Sequence, residues 1–270
     1  MTAVFERFLA LGDSFTEGME DERGADGRHR GWADRVASAL AVQQPGLLYG
    51  NLAIRGRLLD QVVAEQVPAA RQLRPDLVSF HAGANDVLRP GLDLTSLHAR
   101  YDDAVAALAR TGATVVLFTA IQRAGGTTRA ADRLAARFAA FNARVRRSAA
   151  DHGAVLVDVG VERALYDRRL WHEDRLHLAP AGHRRVAAAV LEALGVTDPS
   201  LLGGAAGWWR QPLLATARPP RHRRVAEDVR WARRHLAPWV IRRVRGVSSG
   251  DGVAPKRPEL GTIAPLRSHP

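Results

Sequence analysis

The chain contains no cysteine. This excludes disulfides, zinc held by thiolates and a thiol nucleophile. Lysine is almost as scarce: Lys256 stands alone, so nearly all the positive charge is arginine. No apolar run approaches the ~18 residues of a membrane-spanning helix. Residues 1–7 carry Glu6 and Arg7 and lead straight into Phe8-Leu9-Ala10-Leu11, without the basic start and apolar stretch of about 7–15 residues that mark a secretory signal. A soluble, cytoplasmic protein is the expectation. Also missing are Gly-x-Ser-x-Gly (position 16 is Thr), His-Glu-x-x-His, Walker and Gly-x-Gly-x-x-Gly patterns. The sequence therefore offers no ordinary nucleophile elbow, zinc-protease helix or nucleotide loop. No cofactor and no metal are expected.

The 270 residues, 46% of them hydrophobic, suffice for one sizeable core plus an appendage. The formal charge of +11 is unevenly spread: residues 1–200 hold 25 cations against 24 acids, and residues 201–270 hold 14 against 4. Basic character thus belongs to the C-terminal appendage rather than to the body.

Within the body, short apolar runs alternate with helical patterns. Strands are expected at 8–11, 47–51, 77–82, 114–120 and 154–159, and helices at 32–43, 58–72, 94–110, 130–151 and 180–194. Runs apolar throughout, such as Thr114-Val115-Val116-Leu117-Phe118, suit strands covered on both faces. Five strands alternating with five helices indicate an α/β fold: a parallel sheet with helices on both sides. The expected organisation is an α/β body over 1–198, a basic helical extension over 199–246 and a disordered, Ser/Gly/Pro-rich tail over 247–270. In the extension, Val225, Val229, Leu236, Val240 and Val244 fall roughly on one helical face, and Pro238 should break or kink that helix. Its stripe could pack on the body with the arginines solvated. Alternatively the arginines, with Trp231 and Trp239, could contact anionic membrane or nucleic acid.

Four short motifs follow predicted strands or lie past the last one: Gly12-Asp13-Ser14, Asn51 to Gly56, Gly83-Ala84-Asn85-Asp86, and Asp174-Arg175-Leu176-His177. Ligands of open parallel sheets bind beyond the carboxyl ends of the strands, so these segments should converge. Ser14 is a candidate nucleophile that needs a base. His177 is the natural base, and Asp174, three residues earlier, can fix its tautomer. Backbone N–H groups of Ser14 and Gly56 and the Asn85 amide could form an oxyanion hole. Each residue alone also has an ordinary reading, as a helix-capping serine, a helix-entry histidine, a loop glycine or a turn asparagine. His172 and His183 are rivals for the base; His183 falls in a predicted helix, where packing is the simpler role. A metal held by His172, Asp174 and His177 is a further alternative. The crevice wall is expected near residues 15–20, 87–92 and 122–129, with Phe15, Trp171 and His172 as candidate substrate contacts. No lid is evident, which favours an open groove and short to medium acyl chains.

Together the four motifs resemble the SGNH, or GDSL-type, hydrolase family, over roughly residues 7–195. The four name-giving residues would be Ser14, Gly56, Asn85 and His177, with Asp174 completing the Asp-x-x-His block. The first motif ends in Phe15 rather than Leu. The stretch Asp26-Gly27-Arg28-His29-Arg30-Gly31-Trp32-Ala33 is similar to the actinobacterial branch. The resemblance implies a flavodoxin-like three-layer α/β/α sandwich with strand order 2-1-3-4-5. It also implies metal-free hydrolysis of small-molecule esters, ranging from short acyl esters to acetylated sugars and lysophospholipids. A non-catalytic binding protein with a degenerate body, recruited by its basic tail, is the alternative.

Overall fold

The structure, a computed structural model, describes residues 4–24, 26–121, 128–216 and 220–266. In chain order the body runs β1 (Arg7–Gly12), α1 (Ser14–Glu17), α2 (Gly31–Gln43), β2 (Leu48–Asn51), α3 (Leu59–Glu65), α4 (Val67–Leu73), β3 (Leu77–His81), α5 (Ala84–Val87), α6 (Leu94–Ala109), β4 (Thr114–Phe118), α7 (Arg129–Asp151), β5 (Val155–Val157), α8 (Pro180–Ala193) and α9 (Pro199–Leu202). The extension adds α10 (Arg221–Trp231), α11 (Ala237–Val244) and a strand, β6 (Arg257–Thr262).

One sheet of order β5-β4-β3-β1-β2-β6 forms the middle layer. The first five strands are parallel and follow the expected order. Period-two alternation divides their side chains between two cores. Phe8, Ala10, Tyr49, Leu77, Val116 and Phe118 face α2 and α8, where Trp32, Val36, Val186 and Val190 are buried. Leu9, Leu11, Val78, Phe80, Val115 and Leu117 face α3, α4, α6 and α7, meeting Leu59, Val62, Tyr101 and Phe141. The result is the expected three-layer sandwich.

Several expectations need correction. The single helix at 58–72 is two, α3 and α4, because Pro68 in the first turn of α4 has no N–H to continue a helical ladder and suits a helix start. The sheet has six strands, not five: β6 runs antiparallel to the free edge of β2. Residues beyond Gly246 are therefore not a structureless tail, at least through Leu266, whose N–H donates to the Ser38 carbonyl across 2.8 Å. Residues 267–270 lie outside the described residues. The chain's one lysine anchors this return. Lys256 Nζ donates to the carbonyls of His29 (3.1 Å) and Arg30 (2.9 Å) and is paired with the carboxylate of Asp34. Burial pushes the Asp34 carboxyl upward against the pull of Lys256.

The body also reaches past residue 198. Leu201, Leu202 and Trp209 belong to the core, and Arg185 donates to the carbonyls of Trp209 (2.6 Å) and Gln211 (2.7 Å). In the extension, Pro238 does not end the helix. A π-helical turn over Ala232–Leu236 joins α10 to α11, with the Ala237 N–H donating five residues back to Ala232. The wider turn just before Pro238 accommodates a residue that lacks an N–H and crowds the preceding turn.

Candidate active site

Gly12 closes β1 at φ 149°, and a Cβ there would run into the His81 carbonyl and the Thr16 side chain, so only glycine fits. The buried Gln66 clamps it, accepting from the Gly12 N–H (2.8 Å) and donating to its carbonyl (3.0 Å). Asp13 then caps α1, accepting from the Phe15 N–H at 3.1 Å. Ser14 is the first residue of α1, a position whose own N–H has no partner within the helix.

Asp174 and His177 lie on a tight loop. Trp171 and Leu178 bridge its base, the His172 N–H donates to the His177 carbonyl (2.9 Å), and Arg175 takes a left-handed φ of 62°. Asp174 Oδ1 accepts from the N–H groups of Leu176 (2.9 Å) and His177 (3.0 Å), while Oδ2 meets His177 Nδ1 at 2.7 Å. Burial raises the Asp174 carboxyl, but the His177 ring and these N–H donors outweigh it and hold the group well below the usual carboxylate range. Asp174 is thus a fixed anion. Arg168 braces the loop by donating to the carbonyls of Trp171 (3.0 Å), His172 (2.7 Å) and Glu173 (3.2 Å). The extension braces it from outside. Trp231 Nε1 donates to the Asp174 carbonyl (2.8 Å), Asp228 pairs with Arg175 (2.6 Å), and the Arg175 guanidinium lies 4.7 Å from the Trp231 ring centroid.

Ser14, Asn85 and His177 line one cavity of about 120 Å³. Phe15, Ala84, Leu88, Ala120, Ile121, Phe138 and Trp171 give it mostly apolar walls. Phe15 and Trp171, the candidate substrate contacts, both line it. His172 does not line the cavity; it sits between Glu20 (3.5 Å) and Asp174 Oδ2 (3.4 Å). Of the expected walls, Phe15 and Met19 serve from the first and Leu88 from the second, and residues 122–127 of the third lie outside the described residues.

Asn85 Nδ2 donates to Asp13 Oδ2 (3.1 Å) and to the Arg57 carbonyl (3.0 Å). The next residue, Asp86, accepts from the Leu59 N–H (2.9 Å), and burial pushes its carboxyl up to about 6. Gly56 has φ 74° and lies outside the cavity lining; a Cβ there would strike the hydroxyls of Ser248 and Ser249. Its neighbour Arg55 is fixed by Glu17, through its N–H (2.6 Å) and its Nε (3.0 and 3.1 Å). Thus the tail closes over the second motif, a contact for which the sequence carries no local signal.

His183 lies in α8 as expected, with Nε2 3.0 Å from the Met19 carbonyl, and burial pushes its pKa down to about 4. It stays neutral at neutral pH. His81 and Asp13 are site residues that the motifs alone do not assign. His81 lines the cavity, with Nδ1 3.5 Å from Asp13 Oδ1; a histidine ending an apolar strand was its available signal. Among the described residues, Glu20, His172 and Asp174 bring possible metal-ligand atoms within 4.8 Å of one another. An ion there would compete with His177 for Asp174 Oδ2. No helix among the described residues is long and apolar enough to cross a membrane.

The fold has known counterparts. LAE5, an alpha/beta hydrolase enzyme from the metagenome of Lake Arreo, is 26% identical with a TM-score of 0.57, over 70% of this chain and 95% of that one. TesA is 23% identical with a TM-score of 0.57, over 70% and 97%. Axe2, an acetylxylan esterase from Geobacillus stearothermophilus, is 22% identical with a TM-score of 0.57, over 71% and 94%. No curated protein matches the sequence. Residues 10–185, most of the α/β body, match the GDSL-like Lipase/Acylhydrolase family, so the chain belongs to that family and is a carboxylic ester hydrolase.

Proposed function

We propose that the enzyme hydrolyses small-molecule carboxylic esters through an acyl-enzyme on Ser14. The observation that carries this reading is the 2.7 Å contact between Asp174 Oδ2 and His177 Nδ1, on a loop whose histidine shares one cavity with Ser14. Holding Nδ1 on the carboxylate leaves Nε2 to receive a proton. Ser14 Oγ attacks the ester carbonyl while His177 takes the hydroxyl proton, and Asp174 stabilises the imidazolium. The tetrahedral oxyanion is met by the N–H of Ser14 and by the Asn85 amide, which exchanges one of its present acceptors for it; the expected third donor, Gly56, lies outside the cavity lining. Collapse expels the alcohol, which receives the proton from His177. Water then gives a proton to His177 and attacks the acyl carbon; collapse releases the acid and returns the proton to Ser14.

The small, mostly apolar cavity supports short to medium acyl chains, and the likeness to an acetylxylan esterase agrees with a short acyl group. A panel of p-nitrophenyl esters from acetate to palmitate, with acetylated xylose and lysophospholipid, tests the reading. Ser14→Ala should lose several powers of ten in kcat with the best ester, and turnover should fall for the long chains. Undiminished hydrolysis by Ser14→Ala would overturn the assignment.

A further inference from the structure

The arm of α10, the π turn and α11 rests on the catalytic loop through Asp228, Trp231, Arg234 and His235. Its apolar stripe faces elsewhere. Val225, Val229, Leu236, Val240 and Ile241 are exposed, between 38% and 55% of each surface. Val225 and Val229 lie four apart on α10, and Leu236 and Val240 lie four apart where the π turn runs into α11, the spacing of neighbours on a helix surface. On an ordinary surface helix such a stripe is turned towards the core. Here the side touching the body carries Trp231 beside Asp228, Arg234 and His235, and these five apolar residues are left uncovered. Nine arginines and two acids lie between residues 221 and 245, and one of those acids, Asp228, is taken up by Arg175.

We infer that this arm docks the enzyme on an anionic phospholipid surface, with the valine stripe entering the acyl boundary and the arginines meeting headgroup phosphates. Nucleic acid would satisfy the arginines but leave the stripe in water; a lipid surface satisfies both. The position of the arm adds a second argument. It holds the loop that carries Asp174 and His177, and Leu176 between them lines the cavity while remaining 43% exposed. An arm held on a lipid surface thus also holds the loop whose exposed Leu176 opens the cavity. The inference concerns binding and stands whether or not Ser14 is the nucleophile.

Flotation of the full-length protein with phosphatidylcholine vesicles, alone or mixed with phosphatidylglycerol, tests it. The protein should float with the mixed vesicles and not with phosphatidylcholine alone. A triple variant, Val225→Ser with Val229→Ser and Val240→Ser, keeps every charge and should lose at least about 10-fold in partitioning, with turnover of soluble p-nitrophenyl acetate unchanged. A second variant, Arg223→Gln with Arg230→Gln and Arg233→Gln, should lose the preference for anionic vesicles. Three results would overturn the inference: no flotation, flotation indifferent to the serine variant, or binding to duplex DNA or to a second copy of the chain in place of vesicles.

Discussion

The indole Nε1 of Trp231 donates to the backbone carbonyl of Asp174 across 2.8 Å. A helix outside the family-matched segment thus fixes the residue that orients the candidate base. Replacing Trp231 by Phe keeps the bulk of the ring and removes the donor. A half-buried hydrogen bond of this kind contributes about 1 kcal/mol. If that falls on the loop's geometry, kcat drops by about 3- to 10-fold with KM little changed. Steady-state kinetics on a soluble ester checks this; unchanged kcat would mean that the arm rests on the loop without positioning it.

Asn85 makes a sharper prediction because its amide is already held by Asp13 and Arg57. Asn85→Ala should lower kcat by about 10²–10³, the usual effect of losing one oxyanion donor. Asn85→Asp should be at least as damaging, since it sets a second carboxylate against Asp13. Near-wild-type kcat for Asn85→Ala would remove Asn85 from the oxyanion hole.

Asp86 predicts a pH dependence of stability. Its folded pKa of about 6 lies above the ordinary 3.8, so the fold favours the protonated form. The stabilisation is fully present below about pH 3.8 and is lost as pH rises through about 6. Asp86→Asn keeps an oxygen for the Leu59 N–H and removes the ionisation. The variant should exceed wild type by up to about 3 kcal/mol at pH 7, with the gap closing towards pH 4. Urea denaturation at both pH values measures it; a gap that widens in acid would contradict the assignment.

How far the fold and site can be read from the sequence depends on whether the responsible interaction leaves a pattern. The first five strands are legible because strands covered on both faces must be apolar throughout, as Val115 to Phe118 show. The split at Pro68 was legible too, in the proline itself, but the flanking helical periodicity masks it. β6 leaves no pattern. Arg257, Pro258, Glu259 and Leu260 pair with an edge by backbone hydrogen bonds, and an edge strand tolerates proline and lacks a buried face. Asp174 and His177 are legible because their contact spans three residues of one turn. His81, His172 and the Ser248–Gly56 approach are set by tertiary packing, which no local spacing encodes.

Lys256 shows the same point energetically. Nothing near it marks it as buried, yet it offsets the Asp34 carboxylate across most of the chain. Lys256→Met should cost up to about 3–5 kcal/mol, because it leaves the buried Asp34 carboxylate only the more distant Arg257, at 3.7 Å. The loss should shrink as pH falls, because Asp34 can then take up a proton. The double variant with Asp34→Asn should recover most of it. Chemical denaturation of the three proteins checks this; equal stability of Lys256→Met and wild type would show that the return strand is not held by this pair.

The central claim, that Ser14 is the activated nucleophile, is tested most directly by covalent labelling. The protein is treated with a fluorophosphonate and its peptides are analysed by mass spectrometry. Loss of activity should parallel a single adduct per chain on Ser14, and His177→Ala should abolish the labelling. An adduct on another residue that tracks inactivation, or full inactivation with Ser14 unmodified, would contradict the account.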